Sequence, residues 1–194
     1  MKTKLLFTVM SLIMAFALTA QEARYEIKSG IIKRTMDMMG QKSESILYFD
    51  NYGKVEASTM NFMGGSMLQI TKGDTMIFVN QAERQANRMI MQQKPVNYTN
   101  LTQEVKDRSK IKELGDETVA GKPCKKYSLE MNQMGQTTQA TVWVWKGIVL
   151  KQSISFEGME MITEATEVQE NVAIPADKIS VPSGITVQEM QRPF

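Results

Sequence analysis

Methionine is the residue type in this chain with the most chemistry to offer. Seventeen are present, and setting aside Met1, Met10 and Met14 of the first twenty residues leaves fourteen. They cluster: Met36, Met38 and Met39; Met60, Met63 and Met67; Met89 and Met91; Met131 and Met134; Met159 and Met161. An unbranched, polarizable thioether serves three ends. It fills irregular gaps in a core. It makes a pliable lining for varied apolar partners. At Met-x-Met and Met-x-x-Met spacing it also suits a soft ion such as Cu(I). Gly40 and Asp37 beside the first cluster, and Asn132, Gln133 and Gly135 around Met131 and Met134, are turn-like surroundings. Those favour a lining or an ion over core. No histidine or second cysteine joins the clusters, which weighs against copper.

Other chemistry is limited by what the chain lacks. It has no histidine, so a Ser-His-Asp triad, a Cys-His pair and a His-bearing zinc site are excluded. Gly64 and Gly65 stand between Met63 and Ser66 with no lysine nearby, which reads as a bend and not a phosphate loop. Glu160, Glu164 and Glu167 could divide acid and base roles in principle. Charges spaced along a strand are, however, the usual solvated face. The reading therefore assigns no catalytic residue, no metal site and no cofactor.

What must position these residues is a sheet. Turn residues at 50–53, 72–74, 146–147 and 157–158 separate stretches rich in β-branched and aromatic side chains. Tyr127, Leu129 and Met131 share one face, and Lys126, Ser128 and Glu130 the other. Ile148, Leu150, Ile154 and Phe156 likewise share parity, against Lys151, Ser153 and Ser155. Successive strand residues point to opposite sides, so the pattern predicts a sheet with one dry face. Trp143 and Trp145 alternate with Val142 and Val144, so that strand needs cover on both faces. One stretch follows helical spacing: Asn100 as cap with Gln103 as its reciprocal partner predicts a short helix over 100–108.

The resulting fold class is mainly β: a strongly curved antiparallel sheet of about ten strands, a half-barrel or open barrel, with one or two short helices. A two-sheet sandwich is the alternative.

Residues 1–20 have the layout of a secretory signal peptide: Lys2 and Lys4, an uncharged apolar run over 5–18, and small residues before Gln21. The run is short for a membrane span. No cysteine follows the expected cut, which closes the route that acylates such a residue. Residues 21–194 then form a single β-rich domain in the periplasm or outside the cell. Of 23 Lys+Arg and 21 Asp+Glu, Lys2 and Lys4 leave with the signal, so 21 of each sign remain. A balanced surface gives no drive toward nucleic acid or an anionic membrane. The single cysteine, Cys124, has no internal disulfide partner and reads as a small buried strand residue.

Three stretches carry a resemblance: 115–127 (GDETVAGKPCKKY), 142–151 (VWVWKGIVLK) and 174–185 (IPADKISVPSGI). In order and spacing they resemble small exported proteins of the domain of unknown function 4412 group. That group is similar to the LolA/LolB-like lipoprotein-carrier superfamily of Gram-negative envelopes. The resemblance implies a curved antiparallel sheet around an apolar cavity, which in the carriers holds acyl chains. It also implies more helical cover than is legible here, and no carrier residue maps onto a motif position of this chain.

The expected function is a non-enzymatic binding protein that shelters an apolar small molecule, acyl chain or lipidated partner. Tyr127, Leu129, Met131, Ile148, Leu150, Ile154 and Phe156 would supply one inner face, with Met60, Met63 and Met67 at an adaptable rim. Two alternatives stand beside it: an interaction or structural envelope module that binds a protein partner and has no cavity, and Met-based Cu(I) binding.

Overall fold

The hairpins follow from local residue chemistry. Lys146 and Gly147 (φ 49° and 82°), like Ala120 and Gly121 (φ 49° and 73°), take the double left-handed conformation of a two-residue type I′ turn. The structure, a computed structural model, describes residues 23–62, 65–91, 94–133, 136–156 and 158–190. Its strands are β1 (Gly30–Met38), β2 (Gln41–Asp50), β3 (Val55–Phe62), β4 (Gly65–Lys72), β5 (Thr75–Asn80), β6 (Gln85–Ile90), β7 (Lys112–Val119), β8 (Lys122–Gln133), β9 (Gln136–Trp145), β10 (Ile148–Phe156), β11 (Met159–Glu170) and β12 (Thr186–Glu189). A six-residue helix, α1 (Gln103–Arg108), and a 3₁₀ turn (Ala176–Lys178) complete the described elements.

All twelve strands form one sheet in the order β12-β6-β5-β4-β3-β2-β1-β11-β10-β9-β8-β7. It consists of two antiparallel meanders, β1–β6 and β7–β11, joined where β1 pairs with β11. The mainly β, curled-sheet expectation holds, with two corrections of detail. Twelve strands replace about ten, and β12 runs parallel to β6. The parallel strand follows from what precedes it. Ile179, Val181 and Ile185 pack over Ala57, Leu68, Ile70, Val79 and Ala86, covering one face of the first meander before β12 reaches the edge.

The second meander is rolled. In a flat sheet with strands about 4.8 Å apart, β8 and β11 would lie about 14 Å from one another. Yet Lys122 on β8 reaches Glu170 on β11 at 2.6 Å, and Cα atoms of β7 and β11 come within 8 Å. The roll closes one end, called the base here, around Tyr25, Ile27, Ile32, Leu47, Phe49, Val119, Cys124, Trp145, Ile148 and Leu150. Tyr25 meets Phe49 edge-on at 5.1 Å. Gly147 belongs to this closure, because a Cβ there would sit 2.3 Å from the Arg24 carbonyl oxygen.

Both faces of β9 are covered, as its Val-Trp alternation requires. Val142 and Val144 lie under a buried cluster. On the other side Trp143 and Trp145 belong to the base cluster, and lysine stems complete their cover. Lys126 and Lys151 flank the Trp143 ring at 4.7 and 5.0 Å, and Lys122 and Lys146 flank Trp145 at 4.7 and 4.8 Å. Long cationic side chains can shield an aromatic face while their ammonium groups stay wet. Glu117 accepts the Trp143 indole N–H at 2.7 Å, and Glu170 takes both Lys122 and Lys146.

The helix starts later than its sequence suggests. Thr102 is the N-cap, its Oγ1 accepting from the Val105 N–H at 3.3 Å, while Asn100 lies in a preceding turn. The later start leaves Leu101 free to pack on the sheet.

Candidate functional site

Residues paired across a ladder point to the same side, so the register shows what each face presents. On β1, Arg34, Met36 and Met38 share a face and oppose Ala165, Thr163 and Met161 of β11. The same face continues through Gln152 and Ile154 of β10, Val142 and Ala140 of β9, and Tyr127 and Leu129 of β8. In the other direction Ser45 opposes Arg34 and Met60, and Met60 opposes Met67. Met76 and Met89 lie opposite one another on β5 and β6, on that face too.

One side of the sheet therefore carries most of the described methionines. Three of its cross-strand pairs are methionine on methionine: Met38 with Met161, Met60 with Met67, and Met76 with Met89. These side chains are not core. Met67 is 38% exposed and Met159 42%, and Met36, Met38, Met60, Met76, Met89 and Met161 are half-buried. Among the described residues the three buried clusters contain no methionine, and only Met161 packs against one from outside.

The expected inner face divides in three. Tyr127, Leu129 and Ile154 do come together, but the chain covers them itself with Tyr98, Leu101 and Ile111. Tyr98 stacks on Tyr127 with ring centroids 5.9 Å apart, and burial pushes the Tyr98 phenol pKa up. Ile148 and Leu150 go elsewhere, into the base. Their shared parity with Ile154 is broken by a bulge at Val149–Lys151: Ile148 pairs with Trp145 but Ile154 with Ala140, on the opposite side of β9. One extra residue in a strand shifts every later side chain to the other face of its neighbour. Met60 and Met67 stand paired at the open side. Met63, Gly64 and Met134 lie outside the described residues, as do the side chains of Met131 and Phe156.

A cleft of about 320 Å³ remains where residues 94–98 cross this face near the base. Val96, Tyr98, Leu129, Val142 and Val149 line it, with Arg24 and Gln152 among its polar groups. Arg24 is fixed by Glu56 at 2.7 Å and by the Gly53 carbonyl, and the Tyr25 hydroxyl donates to the same Glu56. Burial, followed by the Glu56 charge, raises the Tyr25 pKa well above its ordinary value, so this phenol stays neutral.

Arg34 is the residue the sequence reading passed over. It stands mid-face, one step from fully buried Ile32 and one step from Met36. The signal was present: Gly30, Ile32, Arg34, Met36 and Met38 alternate on a strand next to a Gly turn. A lone arginine in such a row marks an inward charge.

The remaining sequence candidates fall on the outer side. Glu164 pairs with Lys151 at 3.0 Å, Glu167 with Lys33 at 2.7 Å, and Glu160 accepts from Ser153. Cys124 is buried in the base, and desolvation raises its thiol pKa. No group of three or more His, Cys, Asp or Glu side chains suited to a metal occurs among the described residues. No described helix is long and apolar enough to cross a membrane.

A rolled, open, mainly antiparallel sheet with one methionine-rich face and a single short helix among the described elements defines the structural class. The chain belongs to a family described as Domain of unknown function (DUF4412), which matches residues 29–173. No curated protein matches the sequence. Among solved structures, it is similar to an uncharacterized conserved protein from Thermus thermophilus, at 8% identity and TM-score 0.58 over 85% of this chain and 92% of that one. It is also similar to a chain of the MucA/MucB complex of Pseudomonas aeruginosa, at 12% identity and TM-score 0.54 over 87% of this chain and 60% of that one. A putative outer membrane lipoprotein-sorting protein domain from Vibrio parahaemolyticus matches at 12% identity and TM-score 0.42, covering 83% and 93%. At such identities the likeness is one of fold.

Proposed function

We propose that this chain is an exported, non-enzymatic binding protein that shelters an acyl chain against the methionine-rich face of its rolled sheet. One observation carries the reading. Methionines from β1, β3, β4, β5, β6 and β11 converge on a single face and remain partly exposed. Flexible thioethers in that setting suit a ligand of variable shape. Burial of apolar surface supplies the affinity, about 25 cal/mol per Å² before association costs are subtracted. Met60 and Met67, paired across β3 and β4, form the adaptable rim. Tyr127, Leu129 and Ile154 form the wall beneath residues 94–101, and Ile148 and Leu150 serve the closed base instead. Export rests on residues 1–20, read as a signal peptide.

The test is native mass spectrometry of protein expressed with its leader into a bacterial envelope, together with titration of a fluorescent fatty acid. Co-purified lipid and saturable binding support the reading; a lipid-free protein that binds no probe counts against it.

A second reading keeps the fold but replaces the acyl chain with a protein partner. It is favoured by the self-filled half of the face, where Tyr98, Leu101 and Ile111 cover Tyr127 and Leu129 and the space left is a cleft of about 320 Å³. The Pseudomonas aeruginosa neighbour is itself one chain of a two-protein complex. Pull-down from envelope extracts with lipid-stripped protein separates the two readings.

A further inference from the structure

Arg34 is a cation without a counter-ion on the apolar face. Its Nη2 donates to Ser58 Oγ at 2.7 Å, but its Nε is buried with no hydrogen-bond partner. Directly across the ladder, Ser45 Oγ is also buried and unpartnered. No carboxylate lies within 4.0 Å of the Arg34 guanidinium among the described residues. Glu56 is the acidic group whose charge acts on it, and Glu56 is already held by Arg24 and Tyr25. Arg24, Glu56 and Arg34 together leave one net positive charge beside Ile32 and Met36. Desolvating an arginine is costly unless an anion compensates it. Two adjacent orphan groups in one spot are uncommon in a folded chain and point to a missing partner.

We propose that Arg34, with Ser45 and Ser58, is the anchor for the carboxylate of a fatty-acid ligand whose chain lies along the methionines of β1, β3 and β11. A carboxylate offers two oxygens and takes parallel N–H bonds from a guanidinium, while Ser45 donates a third. The anchor sits where the closed base gives way to the half-exposed methionines, so a chain held there by its head runs toward the rim. This inference rests on the acyl-binding reading above and adds to it a charge preference. A neutral acyl ester or amide, as on a lipidated protein, would gain nothing from the arginine's charge.

The experiment compares dodecanoate with dodecanol by calorimetric titration, below their aggregation limits and at a pH where the acid is ionised. Wild-type protein binds dodecanoate at least about tenfold more tightly, a difference of the size expected for one charge-assisted contact. Arg34→Met removes the preference and keeps dodecanol binding. Arg34→Lys retains the charge but not the fork, and keeps part of the preference. Ligand-free Arg34→Met also melts no lower than wild type, because relief of the guanidinium's desolvation offsets the lost hydrogen bond to Ser58. Equal affinities in the wild type, or an undiminished preference in Arg34→Met, overturn the anchor while leaving acyl binding intact. Failure to bind either compound removes the acyl-binding reading and the anchor with it. Should Arg34→Met not fold, Arg34→Lys and Ser45→Ala decide: a narrowed ratio supports the proposal, and an unchanged ratio in both overturns it.

Discussion

Met38 of β1 and Met161 of β11 face one another across the ladder that joins the two meanders. They are far apart in sequence, and their meeting makes one continuous methionine-bearing face from two separate meanders. Neither is buried, and although Met161 packs against the edge of a buried cluster, Met38 packs against none, so the core accounts for only part of this junction. What the face meets supplies the rest.

Mild oxidation provides a check on that face. Methionine sulfoxide is polar and spoils an apolar contact surface. Met39 and Met190 are more exposed and lie off this face, so among the methionines of the face Met67 and Met159 are expected to oxidise first, and bound fatty acid to protect them. Peptide mapping reads the order, and a fatty-acid titration of the oxidised protein is expected to show at least about tenfold weaker binding. Circular dichroism should be unchanged, since the buried clusters hold no methionine among the described residues.

Base and rim respond differently to truncation. Ile148 is fully buried, so Ile148→Ala is expected to cost about 2–5 kcal/mol in urea unfolding. Met67→Ala removes a half-exposed side chain and should stay within about 0.5 kcal/mol. Equal costs would place Met67 in a core, contrary to its position here.

Two glycines with nearly the same backbone angle separate strain from crowding. Gly40 (φ 81°) faces open space, whereas Gly147 (φ 82°) abuts the Arg24 carbonyl and Thr99. Gly40→Ala is expected to cost about 1–2 kcal/mol, the left-handed penalty alone. Gly147→Ala adds a steric term on top and should loosen residues 23–27 in hydrogen exchange.

Acid sensitivity follows from the outer face. The Trp143 indole N–H holds the Glu117 pKa below its ordinary 4.5, and lysines do the same for Glu130 (Lys110), Glu167 (Lys33) and Glu170 (Lys122). A carboxyl depressed in the folded state contributes stability above its unfolded value near 4.5, and that contribution fades as pH falls through the folded value. Melting temperature should thus be flat near neutrality and drop below about pH 5. Glu117→Gln should make the drop shallower, with the change visible in Trp143 fluorescence.

Much of this architecture was legible in the residues. Turn chemistry at 146–147 placed the β9–β10 hairpin, and the Val-Trp alternation of β9 required cover on both sides. The site was less legible, for two physical reasons. The bulge at Val149–Lys151 moves Ile148 and Leu150 away from Ile154, and an extra residue in a strand leaves no mark in a simple alternation. The strap at 94–101 covers Tyr127 and Leu129 through long-range packing that no local pattern encodes. Arg34 had a readable signal, but its meaning depends on Ser45 opposite and on Glu56 already being engaged, and both are tertiary facts.

The most direct test of acyl binding at the methionine-rich face is competition between a fluorescent fatty acid and unlabelled dodecanoate on lipid-stripped protein. The account predicts saturable, one-site binding that Met38→Gln and Met60→Gln each weaken without lowering the melting temperature. Absence of saturable binding, or binding untouched by both substitutions, would contradict it.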